Sequence, residues 1–322
     1  MKAVVTGGAG FIGANLVEYL IKGGHKVVVI DNLSSGKYEF IKDFVESGEA
    51  EFIRADLAEP GDWVKGFKGA DVVYHMAANP EVKTSIVEPS RHFRDNILVT
   101  FNVLEASRKA GVGSFVFASS STVYGDADVF PTPEDYEPKE PISVYGGAKL
   151  AAEDLVKTWA KVYGLRSLIL RFANVVGPRQ THGVVVDFIH KLLRNPKRLE
   201  ILGDGTQKKS YIHVDDLIAG MERCREYLLR SGKEYEIFNL GNRDWVTVKE
   251  IADIVVEVMG LEDVEYVYKP ATPDGRGWKG DVKFMLLDIS KAVKLTGWEP
   301  SMSSADALRD ATKRYLEIVG GE

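Results

Sequence analysis

A doubly wound parallel α/β sheet with a smaller C-terminal α/β domain is the fold that three features of the sequence predict. Strand-like apolar runs alternate with amphipathic stretches through the first half of the chain. A glycine-rich turn, Thr6-Gly-Gly-Ala-Gly-Phe-Ile-Gly13, directly follows the first of these runs and opens the first amphipathic stretch. The length, 322 residues, suffices for a large core and two lobes.

The strand-like runs lie at 2–6, 26–30, 51–54, 71–75, 114–118 and 166–171. Helix-like runs lie between them at 11–23, 91–110 and 145–163. Such alternation argues for parallel strands with helices on both faces. The later part is less regular. Helix-like runs occur at 184–194, 247–259 and 303–319, and another follows His213-Val-Asp-Asp216. A strand-like run at 236–240 comes after it. Pro131, Pro133, Pro138 and Pro141 crowd an acidic loop before the 145–163 helix. A second Gly/Pro-rich loop spans 270–277.

Composition narrows the function. The chain is 45% hydrophobic and 27% charged, ordinary for a soluble globular protein. Its net charge of -6 lacks the basic footprint of a nucleic-acid binder. The single cysteine, Cys224, allows neither an intrachain disulfide nor a thiolate cluster, and it reads as a packing thiol. His182 and His213 show no metal spacing, so no metal is expected, and His75 reads as a hydrogen-bonded packing residue. The sequence opens directly on a strand and contains no apolar run of transmembrane length. A cytoplasmic protein without a membrane partner is expected.

Gly7, Gly10 and Gly13 permit a tight turn, close approach of the backbone to a pyrophosphate, and close helix–strand packing. Asp31 ends the next strand. A carboxylate there accepts from a ribose diol and repels a 2′-phosphate, which favours NAD over NADP, with Lys37 nearby as the one contrary charge. The sheet is therefore expected to be of Rossmann type. Residues 1–172 with about 211–242 form the expected NAD-binding domain, and 173–210 with 243–322 the substrate domain.

Tyr145 and Lys149 stand four apart at the start of a helix-like run, which places phenol and ammonium on one face. A lysine charge beside a phenol lowers its pKa and fits it for acid/base work. Alone, this spacing equally describes a solvated helix face.

The ordered set of motifs resembles the extended short-chain dehydrogenase/reductases. It comprises Gly-x-x-Gly-x-x-Gly, Asp31-Asn-Leu-Ser-Ser-Gly36, Asp56-Leu57, His75-Met-Ala-Ala78, Asn96, Ser119-Ser-Ser-Thr-Val-Tyr-Gly125 and Tyr145-x-x-x-Lys149. Within that group the chain is most similar to the UDP-glucose (UDP-galactose) 4-epimerases. Arg171-Phe-Ala-Asn-Val-Val-Gly-Pro178, Gly203-Asp-Gly-Thr-Gln207, Tyr211-Ile-His-Val214 and Gly280-Asp281 carry that likeness.

The resemblance implies a site. Ser120 would hydrogen-bond the reacting sugar oxygen, Tyr145 would be the acid/base, and Lys149 would tune it and hold the nicotinamide ribose. Phe11 and Ile12 would offer amides to the pyrophosphate. Asp31, Asn32, Ser34, Ser35 and Gly36 would hold the adenosine ribose, and Asp56 and Leu57 would meet adenine. Met76, Ala77, Ala78, Asn79, Pro80, Asn96, Ser119 and Ala173 would line the cofactor groove. The nucleotide-sugar would meet Val82, Asn174, Val184, Gln207 and Asp281, with Glu200, Ile201 and Leu202 receiving the base. The helices at 91–110 and 145–163 would pair with their copies in a homodimer.

The chain departs from the epimerase pattern where the diphosphate would be gripped. Lys209 and Trp278 stand at positions that commonly carry arginine, and Arg276 would supply charge from two residues earlier. Met285 lies where the family gates the sugar 2-substituent, which leaves N-acetylhexosamines open. A UDP-glucuronate 4-epimerase or decarboxylase stays open through Thr84 and Ser85. Dehydratases of this type place Asp-Glu after the Ser120 position. Here Ser121-Thr122 follows, which argues against elimination. A non-enzymatic NAD-binding sensor would predict a broken Ser/Tyr/Lys set.

Overall fold

The computed structural model describes residues 1–319. Of the C-terminal span expected above, 320–322 lie outside the described residues.

Six parallel strands of the main sheet form in the first half: β1 (Lys2–Thr6), β2 (Lys26–Asp31), β3 (Ala50–Arg54), β4 (Val72–His75), β5 (Ser114–Ser120) and β6 (Ser167–Phe172). The intervening helices are α1 (Phe11–Lys22), α2 (Lys42–Glu46), α3 (Pro89–His92), α4 (Val99–Ala110) and α5 (Val144–Tyr163). Each principal strand lies within two residues of its expected position. The run expected as one helix at 91–110 starts at Pro89 and passes through a π-helical stretch, Phe93–Leu98, before α4.

After β6 the chain leaves this sheet through β7 (Asn174–Val176), α6 (Val184–Arg194), β8 (Arg198–Leu202), β9 (Lys208–Lys209), β10 (Tyr211–His213) and α7 (Val214–Ser231). It returns as β11 (Tyr235–Leu240), which pairs in parallel with β6. The remaining elements are β12 (Val246–Thr247), α8 (Val248–Val258), β13 (Glu265–Lys269), β14 (Phe284–Met285), α9 (Ser290–Thr296) and α10 (Ser304–Val319).

The main sheet has seven strands in the order β11-β6-β5-β4-β1-β2-β3. It is a doubly wound, Rossmann-type sheet whose order reverses between β1 and β4. Its inner strands are apolar on both faces: β1 buries Ala3, Val4 and Val5, and β6 buries Leu168, Ile169 and Leu170. Leu16, Val17 and Leu20 of α1 and Leu217, Ile218 and Met221 of α7 cover one face. Val103 and Leu104 of α4 and Ala152 and Val156 of α5 cover the other. A separate apolar cluster joins α6, α8 and α10 beside small sheets β12-β9-β14 and β13-β8. No helix among the described residues is long and apolar enough to cross a membrane.

Two histidines are structural. His213 caps α7: its Nδ1 accepts from Asp215 N at 3.2 Å, and its Nε2 lies 3.1 Å from Asp310. His75 is buried at the end of β4 between the hydroxyls of Thr6 (2.7 Å) and Thr100 (3.0 Å). Burial, with the nearby Lys149 charge, pushes its pKa down to about 3.

That shift predicts an acid dependence. Between about pH 6.5 and 3 the unfolded chain holds a proton at this position and the folded chain does not. Stability from this group is therefore full above 6.5 and is lost as pH falls toward 3, by on the order of 5 kcal/mol in all. Urea unfolding at pH 4, 5 and 6 should show a shallower pH slope in His75→Asn than in the parent, by up to one proton. Equal slopes would assign the acid dependence to other groups.

Candidate active site

A cleft of about 1060 Å³ opens at the carboxyl ends of β1 and β4, where the sheet order reverses. The turn after β1 forms one wall. Gly7 has φ +68, and a Cβ there would stand 2.6 Å from Ala77 N. Gly13 packs closer still: its Cβ would meet the Gly7 carbonyl at 2.1 Å. Only glycine lets the start of α1 lie this close to the strand end. Gly10 is the N-cap of α1, and no side chain caps that turn. Gly10, Phe11, Ile12 and Gly13 line the cleft, so its first-turn amides are offered to an anion.

Asp31 ends β2 on the same wall. Its carboxylate accepts from Ala9 N (3.0 Å) and Leu33 N (2.8 Å), and burial raises its pKa. Asn32, Ser34, Ser35 and Gly36 continue along the cleft, as do Asp56 and Leu57. Arg94 holds Asp56 at 2.6 Å and lowers its pKa against the effect of burial. Met76, Ala77, Ala78, Asn79, Pro80 and Val82 form the side over β4. Asn96 stands behind them, accepting from Asn79 N at 2.7 Å.

Ser120 is the last residue of β5. Its Oγ accepts from the Thr122 amide (3.2 Å) and the Thr122 hydroxyl (3.0 Å). Tyr145 and Lys149 come from the first two turns of α5, which Ser143 caps through Gly146 N at 3.1 Å. Burial raises the Tyr145 pKa to about 12, partly opposed by the neighbouring Ser120 hydroxyl. Burial lowers Lys149 to about 8, partly opposed by Glu153. Its ammonium donates to the Ala118 carbonyl at 2.7 Å and lies over the rings of Phe117 and Tyr145. In the protein alone, Lys149 is thus no visible cause of a lowered phenol pKa.

The far wall carries Ala173, Asn174, Val184, Leu202, Gln207, Lys209, Asp281 and Met285. Lys209 is paired with the buried Asp281 at 2.6 Å and lies over the Trp278 ring. Three other residues expected near a substrate lie off the cleft. Ile201 is buried in the apolar cluster of α6 and α8, and Glu200, its neighbour on β8, is exposed. Arg276 is held by Asp126 (2.8 Å) and Asp274 (2.6 Å). Thr122 and Trp278 line the cleft and were not expected to bind anything. The hydroxyl of Thr122 so close to Ser120 was the available signal for the first. No sequence signal distinguished the second.

The sequence profile of the NAD dependent epimerase/dehydratase family matches residues 3–241. A crystal structure of a UDP-galactose 4-epimerase is 48% identical, covers 99% of this chain and 100% of that one, and superposes with a TM-score of 0.88. A UDP-glucose 4-epimerase from Thermotoga maritima, solved with UDP-glucose, is 36% identical over 99% and 100% of the two chains, with a TM-score of 0.88. A UDP-glucuronic acid 4-epimerase from Bacillus cereus, in complex with UDP-glucuronic acid and NAD, is 30% identical over 99% and 100%, with a TM-score of 0.87. The glycine turn, the reversal of the sheet and these full-length likenesses agree: the chain belongs to the NAD dependent epimerase/dehydratase family.

Proposed function

We propose that the protein is an NAD-dependent epimerase that inverts C4 of a UDP-hexose, UDP-glucose or UDP-galactose, with Ser120, Tyr145 and Lys149 at the reacting centre. The carrying observation is that Ser120 and Tyr145 are neighbours, with Lys149 one turn further on, in the same cleft as the glycine turn.

The residues present fit NAD. Gly7 and Gly13 leave no room for a side chain where a pyrophosphate backbone approach is needed, and Asp31 faces a ribose position. When bound, NAD accepts the C4 hydride and returns it, so the sugar passes through a 4-keto form. Tyr145 takes the proton of the sugar 4-hydroxyl at its phenolic oxygen and gives it back. With a resting pKa of about 12 the phenol is protonated at neutral pH, and it becomes a base where positive charge enters the cleft. Ser120 accepts from Thr122 twice, so its own proton is directed elsewhere, onto the sugar oxygen. Lys149 spends one donor on Ala118 and keeps two for ribose hydroxyls.

The nucleotide side is supported by three buried polar atoms without a partner among the described residues: Asn174 Nδ2, Trp278 Nε1 and Gln207 Oε1. All three residues line the cleft. Leaving such atoms unsatisfied costs about 1–3 kcal/mol each, which a polar ligand removes. Two donors and the Lys209 ammonium suit a diphosphate. Arg276, held by two aspartates, is left out of that grip.

A C6-carboxylated sugar is the second reading, favoured by Lys83 and Thr84 in the cleft wall. Ser85 does not assist it, because its buried hydroxyl donates to Val82 O. Elimination chemistry is disfavoured, since Thr122 is spent on Ser120.

Purified protein incubated with UDP-glucose, UDP-N-acetylglucosamine and UDP-glucuronate, without added NAD, tests the assignment. Chromatography should resolve UDP-galactose from UDP-glucose. Loss of carbon dioxide or water, or turnover of only the N-acetylated or carboxylated sugar, would replace it.

The remaining assignments follow this reading. On this reading residues 1–172 with about 211–242 are the cofactor-binding domain, and 173–210 with 243–322 the nucleotide-sugar-binding domain. Phe93, Phe101, Val162 and Tyr163 are exposed apolar side chains along the 91–110 and 145–163 helices and support a homodimer through them. The buried, unpaired Cys224 accords with a cytoplasmic location.

A further inference from the structure

One turn beyond Lys149, a charged pair is buried against the site without touching the cleft. Tyr145, Lys149 and Glu153 follow one another at four-residue intervals and share one face of α5. Each meets one of the last three residues of β5. Tyr145 lies beside Ser120, Lys149 donates to the Ala118 carbonyl, and Glu153 accepts from Ser119 Oγ at 2.6 Å. Two hydrogen bonds, from Lys149 and to Glu153, thus fasten the helix to the strand end.

Glu153 is completely buried, and its partner Arg171 is 1% exposed. Arg171 grips it with two parallel bonds, Nε to Oε1 at 2.9 Å and Nη2 to Oε2 at 2.7 Å. Arg171 sits on β6 directly opposite Ser119 in the sheet register. Its remaining nitrogen, Nη1, donates to the Tyr124 hydroxyl (2.9 Å) and the Glu134 carbonyl (2.8 Å). Tyr124 in turn donates to Asn239 of β11 at 2.7 Å. The pair therefore ties α5 to β5, β6, β11 and the proline-rich loop at once.

A buried pair of this kind is poor value for stability alone, since apolar residues of similar volume serve as well or better. Its two-point geometry is what apolar residues cannot reproduce.

We propose that Glu153 and Arg171 are positioning residues for the reaction: their ion pair sets the register of α5 on the end of β5, and through it the spacing of Ser120, Tyr145 and Lys149. The inference rests on the function assigned above.

The double variant E153L/R171M separates positioning from stability. A merely structural pair predicts a lowered melting temperature with parental kcat, because Ser119, Tyr124 and the Glu134 carbonyl lose a buried partner. Positioning predicts, in the folded variant, kcat for UDP-glucose down 10- to 100-fold and KM within about threefold. In crystal structures of parent and variant, the distance between the Ser120 and Tyr145 hydroxyls should differ. Parental kcat, or an unchanged Ser120–Tyr145 distance, overturns the proposal. Should the double variant not fold, R171K reads the same quantity, because it keeps a cation beside Glu153 without the fork. A fall in kcat of fivefold or more then supports positioning, and parental kcat overturns it. If the parent turns over none of the UDP-sugars, the assigned function fails, and the crystallographic Ser120–Tyr145 distance still decides the positioning claim.

Discussion

Tyr145→Phe should lower kcat for UDP-glucose epimerisation by about 10²–10⁴-fold, the usual contribution of a positioned acid/base group. KM should change little, and NAD should stay bound. The expectation rests on three features. The phenol is the titratable hydroxyl beside Ser120 in the cleft. Phenylalanine keeps the ring, including its edge contact with the His92 ring at 6.2 Å and its place under the Lys149 ammonium. Neither Ser120, a hydroxyl with no base of its own, nor Lys149, fixed on Ala118, can replace the lost oxygen. Steady-state rates with UDP-glucose, alongside the absorbance of released cofactor after denaturation, check both halves. A variant with parental kcat would remove Tyr145 from the proton path. A variant that purifies without NAD would show that the phenol acts in cofactor retention instead.

Gly13→Ala should empty the cofactor site, with retained NAD falling at least tenfold and activity falling with it. The added methyl would stand 2.1 Å from the Gly7 carbonyl and 2.8 Å from Gly8 Cα. Both neighbours are backbone, so no side chain can swing aside. The turn must open, and it is the turn that presents the Phe11 and Ile12 amides. The same opening pushes α1 off the sheet, where Leu16, Val17 and Leu20 are fully buried, so the melting temperature should fall as well. Gly147→Ala is the control. It lies two residues past Tyr145 on α5, and a methyl there meets nothing within 4 Å. If Gly13→Ala keeps parental NAD content, the turn does not hold the pyrophosphate.

The sequence revealed most about the parts of the molecule that repeat a simple local rule. The inner strands of the main sheet, such as β1 and β6, announce themselves as apolar runs because both of their faces are buried, and the glycine turn because no other residue fits it. Short strands such as Lys208–Lys209 and Phe284–Met285 carry no such signal: two residues have no period, and they exist only because neighbouring segments bring them together. The π-helical stretch at Phe93–Leu98 likewise hides inside an ordinary amphipathic pattern. In the site, residues whose place in the cleft follows from position on a strand end or helix turn were legible, among them Asp31, Ser120, Tyr145 and Lys149. Arg276 was not, because charge alone does not tell which partner a guanidinium chooses. Here Asp126 and Asp274 claim it. Glu200 and Ile201 show the same limit on a strand, where alternation sends successive side chains to opposite faces. The pairing of Glu153 with Arg171 had no local sign either, since it exists only once β6 and α5 are packed together.

The late return of β11 has a consequence for how the chain is made. Strand β6 ends at Phe172, and its partner on the outer side does not begin until Tyr235. A nascent chain therefore carries β6 as an open sheet edge while the next sixty or so residues are synthesised, roughly 3–12 s at about 5–20 residues per second. During that interval Leu168, Ile169 and Leu170 offer unpaired backbone beside apolar side chains, a template for pairing with another chain. Ribosome-bound chains halted between residues 172 and 235 should accordingly depend on chaperones for solubility, and those extended past Leu240 should not.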